Sequence, residues 1–294
     1  MKQLITFLAA AIICNSATAQ TDSTKNSKDT IRIGGIVIVK SGKTQTDHKN
    51  NRDINITMGR RNNEKRKNAN VSTNWWIVDL GFANYTDNTN YANAGSYLIS
   101  RPGYPALNGN DFKLRSGKSM NVNVWFFMQR LNLVKHYVNL KYGFGLELNN
   151  YRYKSPLSYK ESGYVPYTAN TQTNGAFIFR DSISFSKNKL AADYLTVPIM
   201  LNFASNPNNH KKGISFSAGV SAGYLYSQRN KQKSSDRGKD HNKGDYDLER
   251  FKFSYVAELG LGPVHFYGSY SPKSFYEHSL DMKPYTVGIR FSNW

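Results

Sequence analysis

Cysteine is almost missing from this sequence: Cys14 is the only one in 294 residues. That excludes a disulfide scaffold and any cysteine-based zinc site. Long apolar runs are missing too. Past residue 20 no stretch of 18 consecutive apolar residues occurs, so no helix is expected to cross a membrane. Acidic residues are few, 20 against 39 lysines and arginines, a formal charge of +19. Mean hydropathy is −0.59, far from that of a helical membrane bundle. Aromatics, by contrast, reach 14% and include 20 tyrosines. Such a chain is too rich in buriable surface to be a disordered polyelectrolyte.

The first residues read as an address. Lys2 gives a positive start, residues 4–14 an apolar stretch, and Ala17-Thr18-Ala19 a small-residue cleavage signal. This pattern predicts a secretory signal peptide over 1–19, cleaved near Ala19. Ile13 is too bulky beside Cys14 for a lipidation signal. Cleavage removes Lys2 and Cys14 and leaves +18 with no cysteine. An exported chain without disulfides must be held by its own hydrogen bonds and burial.

What recurs afterwards is alternation with period two, the signature of strands. Eight runs show it, near 76–83, 120–129, 138–149, 195–203, 216–226, 251–261, 264–271 and 285–294. In the second run Met120, Val122, Val124, Phe126 and Met128 form the apolar stripe, and Asn121, Asn123, Trp125 and Phe127 the other face. Most of these strands exceed the 5–6 residues common in soluble sheets and match the 9–11 that cross a bilayer at a tilt. The second face is small and mildly polar, as a narrow lumen requires. It carries Asp79, Lys141, Glu147, Lys252, Glu258 and Arg290, which are expected to pair and plug that lumen.

Connections between the runs alternate strictly between long and short. The intervals near 84–118, 152–189 and 228–249 are long, whereas 130–136, 204–213 and Gly262-Pro263 are short. Outer-membrane barrels are built with long external loops and short periplasmic turns. In hydrocarbon an unpaired backbone group costs several kcal/mol, so a sheet can span only by closing on itself. The expected fold is therefore all-β: an eight-stranded antiparallel up-and-down transmembrane β-barrel over 74–294, with a flexible N-terminal periplasmic extension.

The runs Asn74-Trp75-Trp76-Ile77-Val78-Asp79-Leu80-Gly81-Phe82 and Tyr194-Leu195-Thr196-Val197-Pro198-Ile199-Met200-Leu201 resemble the small outer-membrane β-barrel proteins, the PorT-like and porin-like barrel-domain families. The resemblance covers about 72–294 and implies an integral protein of a Gram-negative-type outer membrane. Some relatives assist secretion or envelope biogenesis, and the resemblance brings no catalytic motif. The ending Val287-Gly288-Ile289-Arg290-Phe291-Ser292-Asn293-Trp294 alternates to a final aromatic. It looks like the C-terminal signal read by barrel-assembly machinery.

Residues 20–73 stand apart, poor in aromatics and rich in Asn, Lys and Arg. Between Lys25 and Lys67 twelve cations face four acids, near +8. One short strand is expected over 31–39, followed by a linker. A basic tail there suits anionic envelope material, a protein partner or a solvated tether. Export makes nucleic acid an improbable partner. Outer-membrane lipid and lipopolysaccharide are the expected surroundings, and an envelope protein is an expected partner.

The search for reactive constellations mostly fails. Gly117-Lys118-Ser119 and Gly42-Lys43-Thr44 lack the glycine five residues earlier that a phosphate loop requires. Asp240 to Asp245 hints at a calcium loop but has Asp245 where glycine belongs. The six histidines lie far apart. A lipid acyl hydrolase needs a nucleophile and histidine near the outer leaflet. His136 and His265 sit at periplasmic turns, and Glu277-His278-Ser279 in an external loop points in several directions. No enzyme, cofactor or metal is therefore expected. A narrow pore is the alternative, but eight strands leave room only for side chains. Tyr85, Tyr91, Tyr97, Tyr104, Tyr159, Tyr164 and Tyr167 give the long loops an adaptable contact chemistry.

Overall fold

The computed structural model describes residues 30–33, 36–39, 56–58, 69–206 and 213–292; the signal-peptide region lies outside them. The chain divides into two compact units, Met1–Lys67 and Asn68–Trp294.

In the first unit the single expected strand is replaced by three. Thr30–Ile33 pairs antiparallel with Ile36–Val39, and Ile56–Met58 adds to the second. Period-two reading does not divide this run, because apolar residues continue on both sides of Gly34 and Gly35 in the sequence.

The second unit is a closed ring of eight strands. They are β1 (Val71–Asp87), β2 (Met120–Val134), β3 (Val138–Arg152), β4 (Lys187–Ala204), β5 (Ile214–Ser234), β6 (Phe251–Leu261), β7 (Val264–Tyr270) and β8 (Met282–Phe291). Each pairs antiparallel with its neighbour in sequence. β8 returns to pair with β1, from Met282↔Asp87 to Phe291↔Val78, which closes the ring. Following directly paired residues from Ser215 through Gly260, His265, Arg290, Asp79, Asn123, Glu147 and Tyr194 returns to β5 at Leu225. The circuit thus ends ten residues further along the same strand. Such a stagger is how tilted strands close into a barrel.

The outside of the ring is apolar and exposed. Val197, Ile199, Leu201 and Phe203 on β4, and Phe251, Phe253 and Tyr255 on β6, each show at least two-fifths of their surface. In water this would be a large aggregation-prone patch; in lipid it is the required wall.

The register shifts at three places in the ring, and one of them redirects lumen side chains. The β2–β3 register shifts between Trp125 and Phe127. Trp125 and Met128 therefore both point inward, at 5% and 0% exposure. Met128, expected on the lipid stripe, is a lumen residue. A bulge puts two residues opposite one and changes the face of everything beyond it. Opposite it Trp76 adopts a left-handed backbone (φ 56°), and Trp75 and Trp76 both lie outward. They meet Phe127 and Phe126 at ring distances of 6.0 and 5.8 Å, an aromatic belt of the kind found at membrane interfaces.

β4 and β5 run far past the apolar wall, and the expected 228–249 loop is mostly sheet. β5 continues to Ser234, turns, and pairs with a strand at Gly238–Lys243. The 176–185 region contributes Phe177–Arg180, which sits between Leu157–Lys160 and Leu98–Ile99 in a small external sheet.

Candidate functional site

The staggered circuit passes through Arg290, Asp79, Asn123 and Glu147, so register alone makes these residues lateral neighbours on four adjacent strands. All six expected lumen residues, Asp79, Lys141, Glu147, Lys252, Glu258 and Arg290, are buried. Arg290 donates from Nε to Asp79 Oδ1 at 2.7 Å and from Nη2 to Oδ2 at 2.8 Å. Its third nitrogen, Nη1, reaches Glu258 Oε2 at 2.5 Å. Lys141 Nζ donates to both oxygens of Glu258 at 2.6 and 2.8 Å, and Lys252 Nζ donates to Glu147.

These contacts form two crossbars between the same strands. β3 supplies Lys141 and Glu147, β6 supplies Glu258 and Lys252, and each cation meets the other strand's acid. Neutral groups join the crossbars. Trp125 Nε1 donates to Asp79 at 2.7 Å, Asn123 donates to Asp79 at 3.1 Å, and Asn149 donates to Glu147 at 3.0 Å. Asn121 bridges Asn123 and Asn149 and accepts the Tyr267 hydroxyl at 2.5 Å. Three carboxylates face three cations, so the network carries no net charge. Trp125 and the asparagine row were not singled out from the sequence, although asparagines at alternate positions on a polar face were the available signal.

A buried ion pair gains little net stability once desolvation is counted, while loss of one partner is costly. The network therefore fixes shape more than it adds stability. A cavity of about 30 Å³ lies among its members, lined by Asn123, Glu147, Thr196, Met200 and Arg290 among others. That is room for one or two waters.

Above the lumen the long loops fold into an aromatic cap. Tyr151 stacks on Phe275 at 5.0 Å. The Tyr159 hydroxyl meets those of Tyr153 and Tyr276 at 2.7 and 2.9 Å. Burial pushes the hydroxyls of Tyr153 and Tyr246 up to about 12. Of the seven loop tyrosines expected to be contact residues, Tyr97 and Tyr159 are buried and Tyr85 and Tyr91 pack against the core. Only Tyr104, Tyr164 and Tyr167 are exposed. Tyr104 lies beneath two guanidiniums, Arg101 at 4.5 Å and Arg180 at 5.7 Å. The reason is length: loops this long carry enough aromatic surface to bury their own core.

The remaining histidine sites are settled by position. His265 is buried in the lumen with Nδ1 3.7 Å from Glu258. His278 Nδ1 lies 2.8 Å from Asp247 Oδ1, with Glu277 close by. The stretch that hinted at a calcium loop instead forms a sheet strand up to Lys243.

A closed antiparallel ring with a lipid-compatible wall and a packed polar interior defines an outer-membrane β-barrel protein. The chain belongs to the outer membrane protein beta-barrel domain family, which it matches over residues 78–275, and its place is the outer membrane. Among solved structures it is similar to Ail, the attachment invasion locus protein of Yersinia pestis, solved with the heparin analogue sucrose octasulfate. That likeness has 11% identity, a TM-score of 0.30, and covers 74% of this chain and 98% of Ail. A mutant of the Rh. blastica porin is similar at 9% identity and a TM-score of 0.17, covering 76% and 99%. No curated protein matches the sequence.

Proposed function

We propose that this outer-membrane barrel has a structural or interaction role in the envelope, with a sealed lumen and with its contacts made by the cap and outer wall. The observation that carries this reading is the lumen itself: mutually paired buried charges span it from strand to strand, with a cavity of about 30 Å³ beside them. Binding therefore belongs outside, where Tyr104, Tyr164 and Tyr167 are exposed beside Arg101 and Arg180. Tyrosine and arginine are the residues that most often anchor interfaces. An envelope protein that works in secretion or biogenesis is the fitting partner. The C-terminal strand is proposed to engage the barrel-assembly machinery, and outer-membrane lipid, including lipopolysaccharide, surrounds the wall.

The alternative, a narrow porin-like channel, needs the crossbars to part. A lipid acyl hydrolase needs a nucleophile hydrogen-bonded to a histidine at the outer leaflet. The hydrogen bonds of His278 among the described residues go to Asp247, not to a serine or threonine hydroxyl, and His265 lies in the lumen, so we read the protein as non-enzymatic. The test combines two measurements on the folded chain. Planar bilayers should show no stable conductance, and Tyr104→Ala, Tyr164→Ala and Tyr167→Ala together should abolish co-purification of an envelope partner. Stable channels would favour the pore, and unchanged co-purification would remove the cap from the proposed interface.

A further inference from the structure

The outward face of β4 changes character along its length. Phe203, Leu201, Ile199, Val197 and Leu195 occupy alternate positions on the lipid side, and the same alternation continues through Asp193 and Ala191 to Lys189 and Lys187. Asn188 and Leu190, the intervening residues, are buried, so these lysines lie on the wall side. The neighbouring strands repeat the pattern in register. Lys187 pairs with Lys233, which pairs with Lys239; Lys189 pairs with Lys231, which pairs with His241; and Arg229 pairs with Lys243. Directly opposed residues share a face of the sheet. Three strands therefore present a grid of seven lysines and arginines.

Like charges directly opposite each other destabilise a sheet. Among the described residues the compensation is thin. Asp193 pairs with Arg229, while Lys187, Lys231, Lys233, Lys239 and Lys243 make no ion pair. Protection of a sheet edge explains charges on Gly238–Lys243, whose far edge pairs with no other described strand. It does not explain Lys189, Lys231 and Lys233, which lie on β4 and β5 where both neighbours are paired, and Lys187 continues the same face two residues on. Those four fit an external anion.

Height selects the anion. A strand rising 3.4 Å per residue at a tilt near 40° climbs about 2.6 Å per residue. Lys189 and Lys187, six and eight positions beyond Leu195, then stand about 15–20 Å above the last apolar residue of the β4 wall. The exposed rings of Tyr224 and Tyr226 mark the interface on β5. A surface continuous with the lipid wall but standing above its last apolar residue by this height overlooks the headgroup layer, toward which long lysine side chains reach down. Phosphates are what lysine and arginine clusters bind best at membranes. Accepting the outer-membrane reading above, we infer that this cationic face of β4, β5 and the Gly238–Lys243 strand binds the phosphate groups of a phosphorylated glycolipid in the outer leaflet, docking it against the barrel wall.

The experiment reconstitutes the full folded chain in nanodiscs with one of three additions to phosphatidylcholine: phosphorylated lipid A, enzymatically dephosphorylated lipid A, or phosphatidylglycerol. Lipid retained through purification is quantified for the wild type, for K187Q/K189Q/K231Q/K233Q and for the four matching Lys→Arg changes. The wild type and the arginine variant should retain phosphorylated lipid A, with the glutamine variant about tenfold or more weaker. Dephosphorylated lipid A and phosphatidylglycerol should be retained poorly by all three. Undiminished retention by the glutamine variant would overturn the inference, as would equal retention of dephosphorylated lipid A or phosphatidylglycerol. Heat-modifiable migration on a denaturing gel reports separately on the barrel. If the wild type itself failed to fold in nanodiscs, the outer-membrane reading would fall with the inference; a folded wild type that ignores phosphorylated lipid A overturns the inference alone.

Discussion

Arg290 on the last strand holds Asp79 on the first by two hydrogen bonds of 2.7 and 2.8 Å, directly across the seam where the ring closes. The pair joins residues 211 positions apart, so it can form only when β8 has found β1 in the correct register. Asp79→Asn keeps the shape and removes one charge of the pair, and Arg290→Met removes the other. Arg290→Met leaves the Asp79 carboxylate buried without its cation, a loss of about 3–5 kcal/mol, whereas Asp79→Asn costs less because Arg290 keeps Glu258. Urea unfolding in detergent micelles should show it as a lower midpoint for both variants. A midpoint unchanged in Arg290→Met would mean the seam is held by backbone pairing alone.

The Lys252–Glu147 crossbar tests the same physics by subtraction. Lys252→Met strands a buried carboxylate, whereas Lys252→Met with Glu147→Gln removes both charges together. The double variant is expected to be more stable than Lys252→Met alone, by about 1–3 kcal/mol, because an unpaired buried charge costs more than the pair contributes. Unfolding midpoints of the two single variants and the double complete the cycle. Additive losses would show that the two groups are not coupled.

Much of this arrangement was legible in the sequence, and the limits are physical. Period two placed Asp79, Lys141, Glu147, Lys252, Glu258 and Arg290 on the inner face, because one face of a spanning strand must be apolar. Which acid meets which base was not legible, since pairing depends on register and register depends on bulges. The bulge at Phe126 hid because Trp125, Phe126, Phe127 and Met128 are apolar on both faces and carry no phase. The Gly238–Lys243 strand hid because its residues are polar, and polarity alone reads as loop. The cap hid because its aromatics lie in irregular segments with no period to follow.

Gly81 and Gly288 face each other across the seam, and the Tyr267 ring passes over them. A Cβ on Gly81 would sit 2.5 Å from the Tyr267 hydroxyl oxygen, and one on Gly288 2.7 Å from Tyr267 Cε1. Backbone atoms are equally close, with Gly81 Cα 2.5 Å from a Cβ on Gly288. Gly288→Ala must therefore push the strands apart or displace the tyrosine, at a cost of about 1–3 kcal/mol. Tyr267→Phe, which loses only the bond to Asn121, should cost about 1 kcal/mol. Comparing the two thermal midpoints separates crowding from hydrogen bonding, and a harmless Gly288→Ala would show that the seam has slack.

His278 offers a pH handle outside the membrane. Its imidazole is exposed, yet its pKa is raised above the ordinary value, first by the hydrogen bond to Asp247 and then by that carboxylate's charge. A histidine whose folded pKa is raised favours the folded loop when protonated. The contribution is therefore complete below the ordinary histidine value of about 6.5 and is lost as pH rises through the higher folded value. The loop joining β7 to β8 should accordingly become easier for a protease to cut on passing from pH 6 to pH 8.5, after correction for the protease's own pH profile. In Asp247→Asn that change should vanish, and the imidazole proton shifts should titrate close to the unperturbed value. The barrel is expected to stay folded throughout, because exposed pairs contribute little to global stability. An imidazole titrating at the same pH in wild type and Asp247→Asn would show that Asp247 does not set its charge, and the pH sensitivity of the loop would then need another source.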